Sequence, residues 1–316
     1  MKAVVLTGGV GGAKLVLGLM RIMPPADITA IVNTGDDFRH LGLHVSPDID
    51  TLLYTLSGKA NRTQGWGREG ESWNFMAALR ELGGEDWFLL GDHDLALHVL
   101  RTARPAAGDT LSAVTAQMAH AWGIEAAILP MSDDPVATEV ETEEGRLEFQ
   151  CYFVARRCAP IVRSIAFRGA AASRMAPGIA AAIAAADVIL IAPSNPYLSV
   201  DPVLAVPGMR DAIATARAPV VAVSPIIGGA AVKGPTAKLM AELGLAISNE
   251  TIAAHYHGII DGLLIDSGDA CAAAGVAIGR SDTLMRTDED KARVARAALA
   301  LAAEIGTRCA GSRSSR

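Results

Sequence analysis

The sequence begins Met1-Lys2-Ala3-Val4-Val5-Leu6-Thr7-Gly8-Gly9-Val10-Gly11-Gly12-Ala13-Lys14-Leu15, and this stretch decides the fold. An apolar run, 3–6, leads into a turn with four glycines in five positions, and an amphipathic segment, 15–22, follows. This order predicts a buried strand, a glycine turn and a helix. Glycines let backbone N–H groups approach a ligand, and the positive end of the next helix points at the same place. The stretch therefore predicts a phosphate or diphosphate site.

The glycine turn matches neither of the two common nucleotide-binding fingerprints. A P-loop requires Gly-Lys-Ser/Thr, whereas Lys14 follows Ala13 and precedes Leu15. A dinucleotide fingerprint that starts with Gly9 and Gly11 requires a third glycine where Lys14 stands. A purely structural turn is the alternative to phosphate binding.

Length and composition indicate a protein that binds a small molecule. The 316 residues are 51% hydrophobic, which is enough for one large α/β domain or a large domain with a smaller insert. No apolar run approaches the ~18–20 residues of a membrane span, and the N-terminus does not resemble a signal peptide. Four cysteines without CxxC spacing support neither zinc nor disulfides. A net charge of −6 argues against nucleic acid. We expect a cytoplasmic protein that binds neither a membrane nor nucleic acid.

A second strand, 27–32, ends in a polar loop that contains Asn33, Asp36 and Asp37. Such strand–helix–strand units build parallel sheets, in which ligands sit beyond the carboxyl ends of the strands. These side chains are therefore expected beside the glycine turn. They suit a ribose or a magnesium shell, and a solvated turn is the alternative.

Two further acids, Asp48 and Asp50, stand at a predicted helix start beside Pro47. With Asp36 and Asp37 they give four carboxylates in fifteen residues. Beside a phosphate cradle, such a cluster suits Mg²⁺ binding and deprotonation of an attacking hydroxyl. An N-cap and a favourable helix-dipole charge are the alternative explanations.

The rest of the chain repeats the alternation of strands and helices. A short strand is predicted at 86–90, followed by Asp92, His93 and a helix on which Asp94 and His98 could form a surface pair. Two later strand ends present Ser194 with Asn195, and Ser224. The prediction is a single α/β domain, 1–316, with a doubly wound, mostly parallel Rossmann-like sheet. It includes an inserted β-hairpin or lid segment at about 136–170 and a disordered tail at 311–316.

Nine short motifs occur in one order along nearly the whole chain, and together they carry a family resemblance. They are Thr7–Lys14 (TGGVGGAK), Asn33–Asp37 (NTGDD), Ser46–Thr51 (SPDIDT), Gly91–Asp94 (GDHD) with His98, Met131–Pro135 (MSDDP), Pro193–Pro196 (PSNP), Val206–Arg210 (VPGMR), Ser224–Gly228 (SPIIG) and Asp282–Met285 (DTLM). In this set the chain resembles the 2-phospho-L-lactate transferase family of coenzyme F420 biosynthesis, the CofD/FbiA type.

The resemblance implies a transferase reaction. A guanosine-diphosphate-activated three-carbon acid (2-phospho-L-lactyl, enolpyruvyl or phosphoglyceryl) is attacked by the ribityl hydroxyl of the deazaflavin Fo, which releases GMP and forms F420-0 or a variant. It also implies Mg²⁺ as cofactor and a homodimer. The implied residues are Thr7, Gly8, Gly9, Gly11, Gly12, Lys14, Asn33, Ser194, Asn195 and Ser224 for the donor, Asp36, Asp37, Asp48 and Asp50 for the metal, Asp50 and His93 for Fo, and Asp50 as the catalytic group.

One position departs from the family pattern. His93 stands where the family usually has arginine or lysine, and a histidine is fully charged only in acidic solution. We therefore expect a different pH dependence or donor preference. Two other functions remain possible from the sequence: a sugar-nucleotide-binding regulator of the YvcK type, and a dehydrogenase, which the broken fingerprint disfavours.

Overall fold

The computed structural model describes residues 1–61, 63–64, 66–231 and 234–313, without the side chains of 231 and 308–313. Its strands are β1 (Ala3–Thr7), β2 (Ile28–Val32), β3 (Phe38–His40), β4 (Leu43–Val45), β5 (Ala127–Pro130), β6 (Ala137–Thr142), β7 (Gly145–Glu148), β8 (Val162–Arg168), β9 (Val188–Ile191), β10 (Val220–Val223), β11 (Ile226–Ile227), β12 (Ala230–Ala231), β13 (Gly262–Asp266) and β14 (Ala277–Ser281). Its helices are α1 (Gly9–Met20), α2 (Pro47–Leu56), α3 (Asn74–Glu81), α4 (Asp94–Ala106), α5 (Leu111–Ala121), α6 (Ile179–Ala184), α7 (Asp201–Leu204), α8 (Met209–Ala214), α9 (Thr236–Glu242), α10 (Asn249–His255) and α11 (Asp288–Arg313).

The central sheet has seven parallel strands in the order β14-β13-β10-β9-β1-β2-β5. From β1 the chain moves outward through β2 to β5, and it then returns to β9 on the other side of β1 and moves outward again. The predicted doubly wound α/β fold is confirmed. The direction of winding changes between β1 and β9, which is where such sheets bind ligands.

Both faces of the sheet are covered at its centre, which explains why β1, β9 and β10 are apolar at nearly every position. Along β1, Val4 and Leu6 belong to one buried cluster, while Ala3 and Val5 belong to the other. Successive strand residues point to opposite faces, so a strand that is covered on both sides needs an apolar residue at every position. Helices α1, α2, α5 and α11 contribute to one cluster, and α6, α8, α9 and α10 contribute to the other.

The segment at about 136–170 folds into a three-stranded antiparallel sheet in the order β7-β6-β8. Between β7 and β8, Cys151–Ala155 forms a π-helical turn. The N–H of Thr138 donates to the carbonyl of Gly35 at 2.7 Å, so this small sheet touches the polar loop after β2.

The predicted strand at 86–90 is wrong, because this segment has no regular structure. It pairs with no strand, and its aromatic residues instead pack their rings against β3, with the centroids of Phe88 and Phe38 4.8 Å apart. The hairpin β3–β4 was not predicted. Its turn places Leu41 and Gly42 at φ values of 52° and 78°, and leucine gives little sign of that conformation.

Two further predictions concern membranes and the end of the chain. Among the described residues, no helix combines the length and apolarity needed to cross a membrane. Helix α11 runs to Arg313, and 314–316 lie outside the described residues, so the disordered tail at 311–316 stays a prediction.

Candidate active site

The glycine turn after β1 is hydrogen-bonded to the loop after β9. The N–H of Gly8 donates to Ser194 Oγ at 3.2 Å, and this hydroxyl donates back to the carbonyl of Gly8 at 2.8 Å. A Cβ added to Gly11 would lie 2.5 Å from the carbonyl oxygen of Pro193. The glycines are therefore needed for close approach of two backbone segments, at the point where the winding of the sheet changes.

Asp48 and Asn33 stand beside this turn and bind each other. Asp48 Oδ1 accepts the N–H of Gly9 at 2.7 Å, and its Oδ2 accepts the side-chain amide of Asn33 at 2.9 Å. Burial raises the pKa of Asp48 to about 7, although both hydrogen bonds act in the opposite direction. Two of the predicted phosphate donors, the N–H groups of Gly8 and Gly9, are thus already bonded within the protein.

Asp36 is buried and Asp37 is largely buried in the same loop, and each carries an oxygen without a protein partner. The Oδ1 atoms of both are buried and make no hydrogen bond. Burial, followed by the charge of Asp48, raises the pKa of Asp36 well above its usual range. Asp37 Oδ2 accepts the hydroxyl of Ser46 at 2.6 Å and lies 3.0 Å from His44 Nε2, yet burial still raises its pKa.

These carboxylates do not form a closed metal cage. Within the described part of the chain, no group of three or more His, Cys, Asp or Glu side chains is arranged to hold a metal ion. Asp36 and Asp48 are nevertheless buried and close enough for their charges to interact. Mg²⁺ often binds through one or two carboxylates together with water and substrate phosphates, and this pair fits that mode.

Asp50 faces helix α4 and is paired there with Arg101. The two terminal nitrogens of the guanidinium donate to the two oxygens of Asp50, one of them at 3.1 Å. His98 Nδ1 lies 3.8 Å from Asp50 Oδ2, and burial lowers the pKa of His98, which keeps the ring neutral at pH 7. Sequence reasoning missed Arg101, although it lies on the same helix face as the buried Leu97.

The predicted surface pair of Asp94 and His98 is wrong, because His98 is buried and Asp94 has another partner. Tyr54 donates its hydroxyl to Asp94 Oδ1. Burial raises the pKa of Asp94 to about 6, while the hydrogen bond from Tyr54 lowers it.

His93 lies on the exposed side of the loop before α4. Its N–H donates to Glu71 Oε2 at 2.7 Å, and its Nδ1 lies 3.5 Å from the same oxygen. The neighbouring Asp92 caps α3 by accepting the N–H of Phe75 at 3.0 Å. A cavity of about 130 Å³ opens beside this loop, with lining residues that include Trp66, Trp73, Glu71 and Asp94.

The other predicted donor residues are spread along the same edge of the sheet. The Oδ1 atom of Asn195 accepts the N–H groups of Tyr197 and Leu198, whereas its Nδ2 is buried without a partner. Ser224 donates to Asn249 Oδ1 at 2.6 Å, two strands away from β1. Lys14 reaches the carbonyl of Met285 at 2.6 Å, in the segment before α11.

The predicted residues therefore fall into a centre and a periphery. The glycine turn, Asn33, Asp48 and Ser194 meet directly, and Asp36 is beside them. Thr7 ends β1 below this group, with a buried hydroxyl that has no partner. By contrast, Asp50 and His93 bind partners on the side of α4, and Ser224 bonds Asn249.

The family profile described as 2-phospho-L-lactate transferase CofD matches residues 3–302 of the chain. The chain belongs to the CofD family. It is therefore a transferase, of the group that acts in coenzyme F420 biosynthesis.

Several relatives match this chain over almost its whole length. A phosphoenolpyruvate transferase of Streptomyces coelicolor is 45% identical over 317 residues, covering 96% of this chain and 99% of the relative. One from Streptomyces avermitilis is 46% identical and covers 97% and 100% of the two chains. A 2-phospho-L-lactate transferase of Methanosarcina mazei is 38% identical, covering 92% and 97%.

Among solved structures, a UPF0052 family protein of Bacillus halodurans is similar in fold. It has a TM-score of 0.63 at 20% identity, covering 95% of this chain and 100% of that one. At that identity the likeness concerns the fold alone.

Proposed function

We propose that this CofD family member transfers a phosphorylated three-carbon acid from a guanosine-diphosphate-activated donor to the ribityl hydroxyl of the deazaflavin Fo. A new P–O bond forms from the hydroxyl oxygen to the phosphate of the three-carbon acid. The P–O bond to the guanosine phosphate breaks, and the hydroxyl loses its proton. The products are GMP and a phosphodiester, F420-0 or a close variant.

One observation carries this proposal: the glycine turn meets a buried carboxylate where the winding of the sheet changes. The contact of Gly9 with Asp48 and that of Gly8 with Ser194 lie where doubly wound sheets bind nucleotides. The first turn of α1 directs its positive end to this point, which favours a diphosphate. Ser194, Asn195 and Ser224 are the proposed contacts for the guanosine part.

Mg²⁺ is the proposed cofactor, with Asp36 and the neighbouring Asp48 as the proposed ligands. A bound cation would compensate the charge of two carboxylates whose pKa values burial raises. Asp50 is held through both oxygens by Arg101 and is less free to bind a metal, whereas Asp36 keeps an oxygen without a protein partner. When bound, Mg²⁺ supplies positive charge to the phosphate oxygens as the P–O bond breaks.

Asp50 is the proposed group that orients or deprotonates the attacking hydroxyl. Because Arg101 binds both of its oxygens, Asp50 is held in one orientation. This pairing suits orientation of the hydroxyl better than removal of its proton.

The enolpyruvyl group is the proposed three-carbon unit, because the 45–46% identical relatives carry the name phosphoenolpyruvate transferase. The test compares kcat/KM for the enolpyruvyl, lactyl and phosphoglyceryl donors with Fo, with products measured by mass spectrometry. The expected order places the enolpyruvyl donor first by at least about tenfold, or roughly 1.4 kcal/mol in transition-state binding. A lactyl donor that reacts equally well would contradict this choice.

Changing His93 to arginine is expected to alter the pH dependence of the reaction. Arginine stays charged across the range in which histidine loses its charge. The ratio of kcat/KM at pH 8 to kcat/KM at pH 6 should therefore be higher in the variant than in the wild type. The measurement is kcat/KM against pH for the wild type, His93→Arg and a matched control, His120→Arg, at an exposed position on α5. An identical profile in His93→Arg and the wild type would rule out a charge-dependent role for His93.

A sugar-nucleotide-binding regulator of the YvcK type remains the second candidate. Binding of UDP-sugars without turnover of any guanylylated donor would favour it.

A homodimer and a cytoplasmic location remain proposals that follow from the family, and light scattering of the purified protein tests the homodimer.

A further inference from the structure

Helix α4 presents a row of polar side chains to α2. Asp94, His98 and Arg101 are spaced by four and three residues, which puts them on one helix face. Asp50 and Tyr54 are four residues apart on α2 and form the matching row. Arg101 is 0% exposed and His98 is 3% exposed, so the contact between the helices excludes water.

Two residue pairs, one turn apart along the helices, connect the two rows. The guanidinium of Arg101 binds both oxygens of Asp50, and the hydroxyl of Tyr54 binds Asp94. Stability alone is a weak explanation for the ion pair, because replacing a buried ion pair by apolar residues is often neutral or stabilising. The pair also stands two residues from Asp48, the carboxylate that contacts the glycine turn.

We infer that Arg101 is a positioning residue for the transfer reaction. Its planar fork fixes the carboxylate of Asp50, and with it the first turn of α2, which carries Asp48 toward the glycine turn. His98 Nδ1 lies 3.8 Å from Asp50 Oδ2, so this ring also packs beside the carboxylate. This inference rests on the proposed function, in which Asp50 orients the attacking hydroxyl.

The test compares Arg101→Lys with Arg104→Lys. Lysine keeps the positive charge but cannot donate two parallel bonds to one carboxylate. Arg104 is on the same helix and pairs with the exposed Asp109, so it controls for arginine-to-lysine exchange on α4. We expect kcat per folded Arg101→Lys molecule to fall about tenfold to a hundredfold, because a small misplacement of a reacting group costs this much. The KM for the donor should stay within about threefold, and Arg104→Lys should match the wild type.

A purely structural role predicts something else: a lower midpoint of thermal unfolding with an unchanged kcat well below that temperature. That result in Arg101→Lys would overturn the inference. If Arg101→Lys does not fold, His98→Asn takes its place, and an unchanged kcat in that variant would overturn the inference as well.

Failure of the proposed function is distinguishable, because the wild type itself would then give no product. In that case the test is ligand binding: the rise in unfolding temperature that Mg²⁺ with GDP produces is measured in the wild type and in Arg101→Lys. We expect that rise to be at least halved in Arg101→Lys, and an equal rise in both proteins would overturn the inference.

Discussion

Asp36→Asn is expected to lower kcat/KM by about 10²- to 10³-fold and, at the same time, to stabilise the metal-free protein at pH 8. The activity falls because a charge beside the phosphate cradle is lost, and such electrostatic contacts contribute this much to catalysis. Stability rises because Asp36 is buried, has an unpaired oxygen and is repelled by Asp48. Asparagine has nearly the same shape and no charge.

The raised pKa values of the buried carboxyls explain why Asp36→Asn should stabilise the metal-free protein at high pH. Burial raises the pKa values of Asp36, Asp37 and Asp48, the last to about 7. The folded protein therefore holds these protons to a higher pH than the unfolded chain, which releases them near pH 4. The contribution of these three carboxyls to the stability of the metal-free protein falls as the pH rises from 4 toward 7, and Asp36→Asn should flatten this fall.

Thermal unfolding at pH 5.5 and pH 8, with and without Mg²⁺, measures these effects. Asp36→Asn should unfold at a higher temperature than the wild type at pH 8 without Mg²⁺, by a few degrees. Mg²⁺ should stabilise the wild type more than the variant. The control is Asp86→Asn, which removes an exposed carboxylate paired with Arg80. A destabilised Asp36→Asn, or one with full activity, would contradict the account.

Gly11→Ala is expected to lose nearly all transferase activity and part of its stability. The new methyl group would lie 2.5 Å from the carbonyl oxygen of Pro193, so the turn after β1 and the loop after β9 would have to separate. Overpacking of this kind costs about 1–3 kcal/mol, or roughly 2–10 °C in Tm for a chain of this size. A displaced glycine turn also misplaces the diphosphate, which costs about 10²-fold in rate.

Gly306→Ala is the matched control, because nothing lies within 4 Å of the Cβ that it adds. Gly306 is inside helix α11, where alanine is favoured over glycine by up to about 1 kcal/mol. Activity should be unchanged, and Tm should be equal or slightly higher. Equal behaviour of the two variants in both assays would show that the approach of the two loops is unimportant.

The sheet could be predicted from sequence because its signals are local. Each of β1, β2, β9 and β10 is a short apolar run that ends in a polar loop, and the chain rule for parallel sheets brings those loops to one edge. The same rule gave a wrong strand at 86–90, where the apolar residues Trp87 and Phe88 serve side-chain packing. They pack against Phe38 and His40 rather than pairing with a strand.

The partners of the acids could not be predicted, because they come from distant parts of the chain. Asp50 and Arg101 are 51 residues apart, and nothing near either residue indicates the other. Likewise, the predicted role of the glycine N–H groups left out Asp48 and Ser194, which already bind two of them. The available signal was the position of Arg101 four residues after Leu97, on the apolar face of α4, because arginine is almost never fully buried unless it is paired.

The most direct measurement is one incubation of the purified protein with Fo, Mg²⁺ and guanylylated phosphoenolpyruvate, read by mass spectrometry. The account predicts a new deazaflavin phosphodiester and an equal amount of GMP. No phosphodiester with this donor or with the lactyl and phosphoglyceryl donors, together with tight binding of a UDP-sugar, would contradict it.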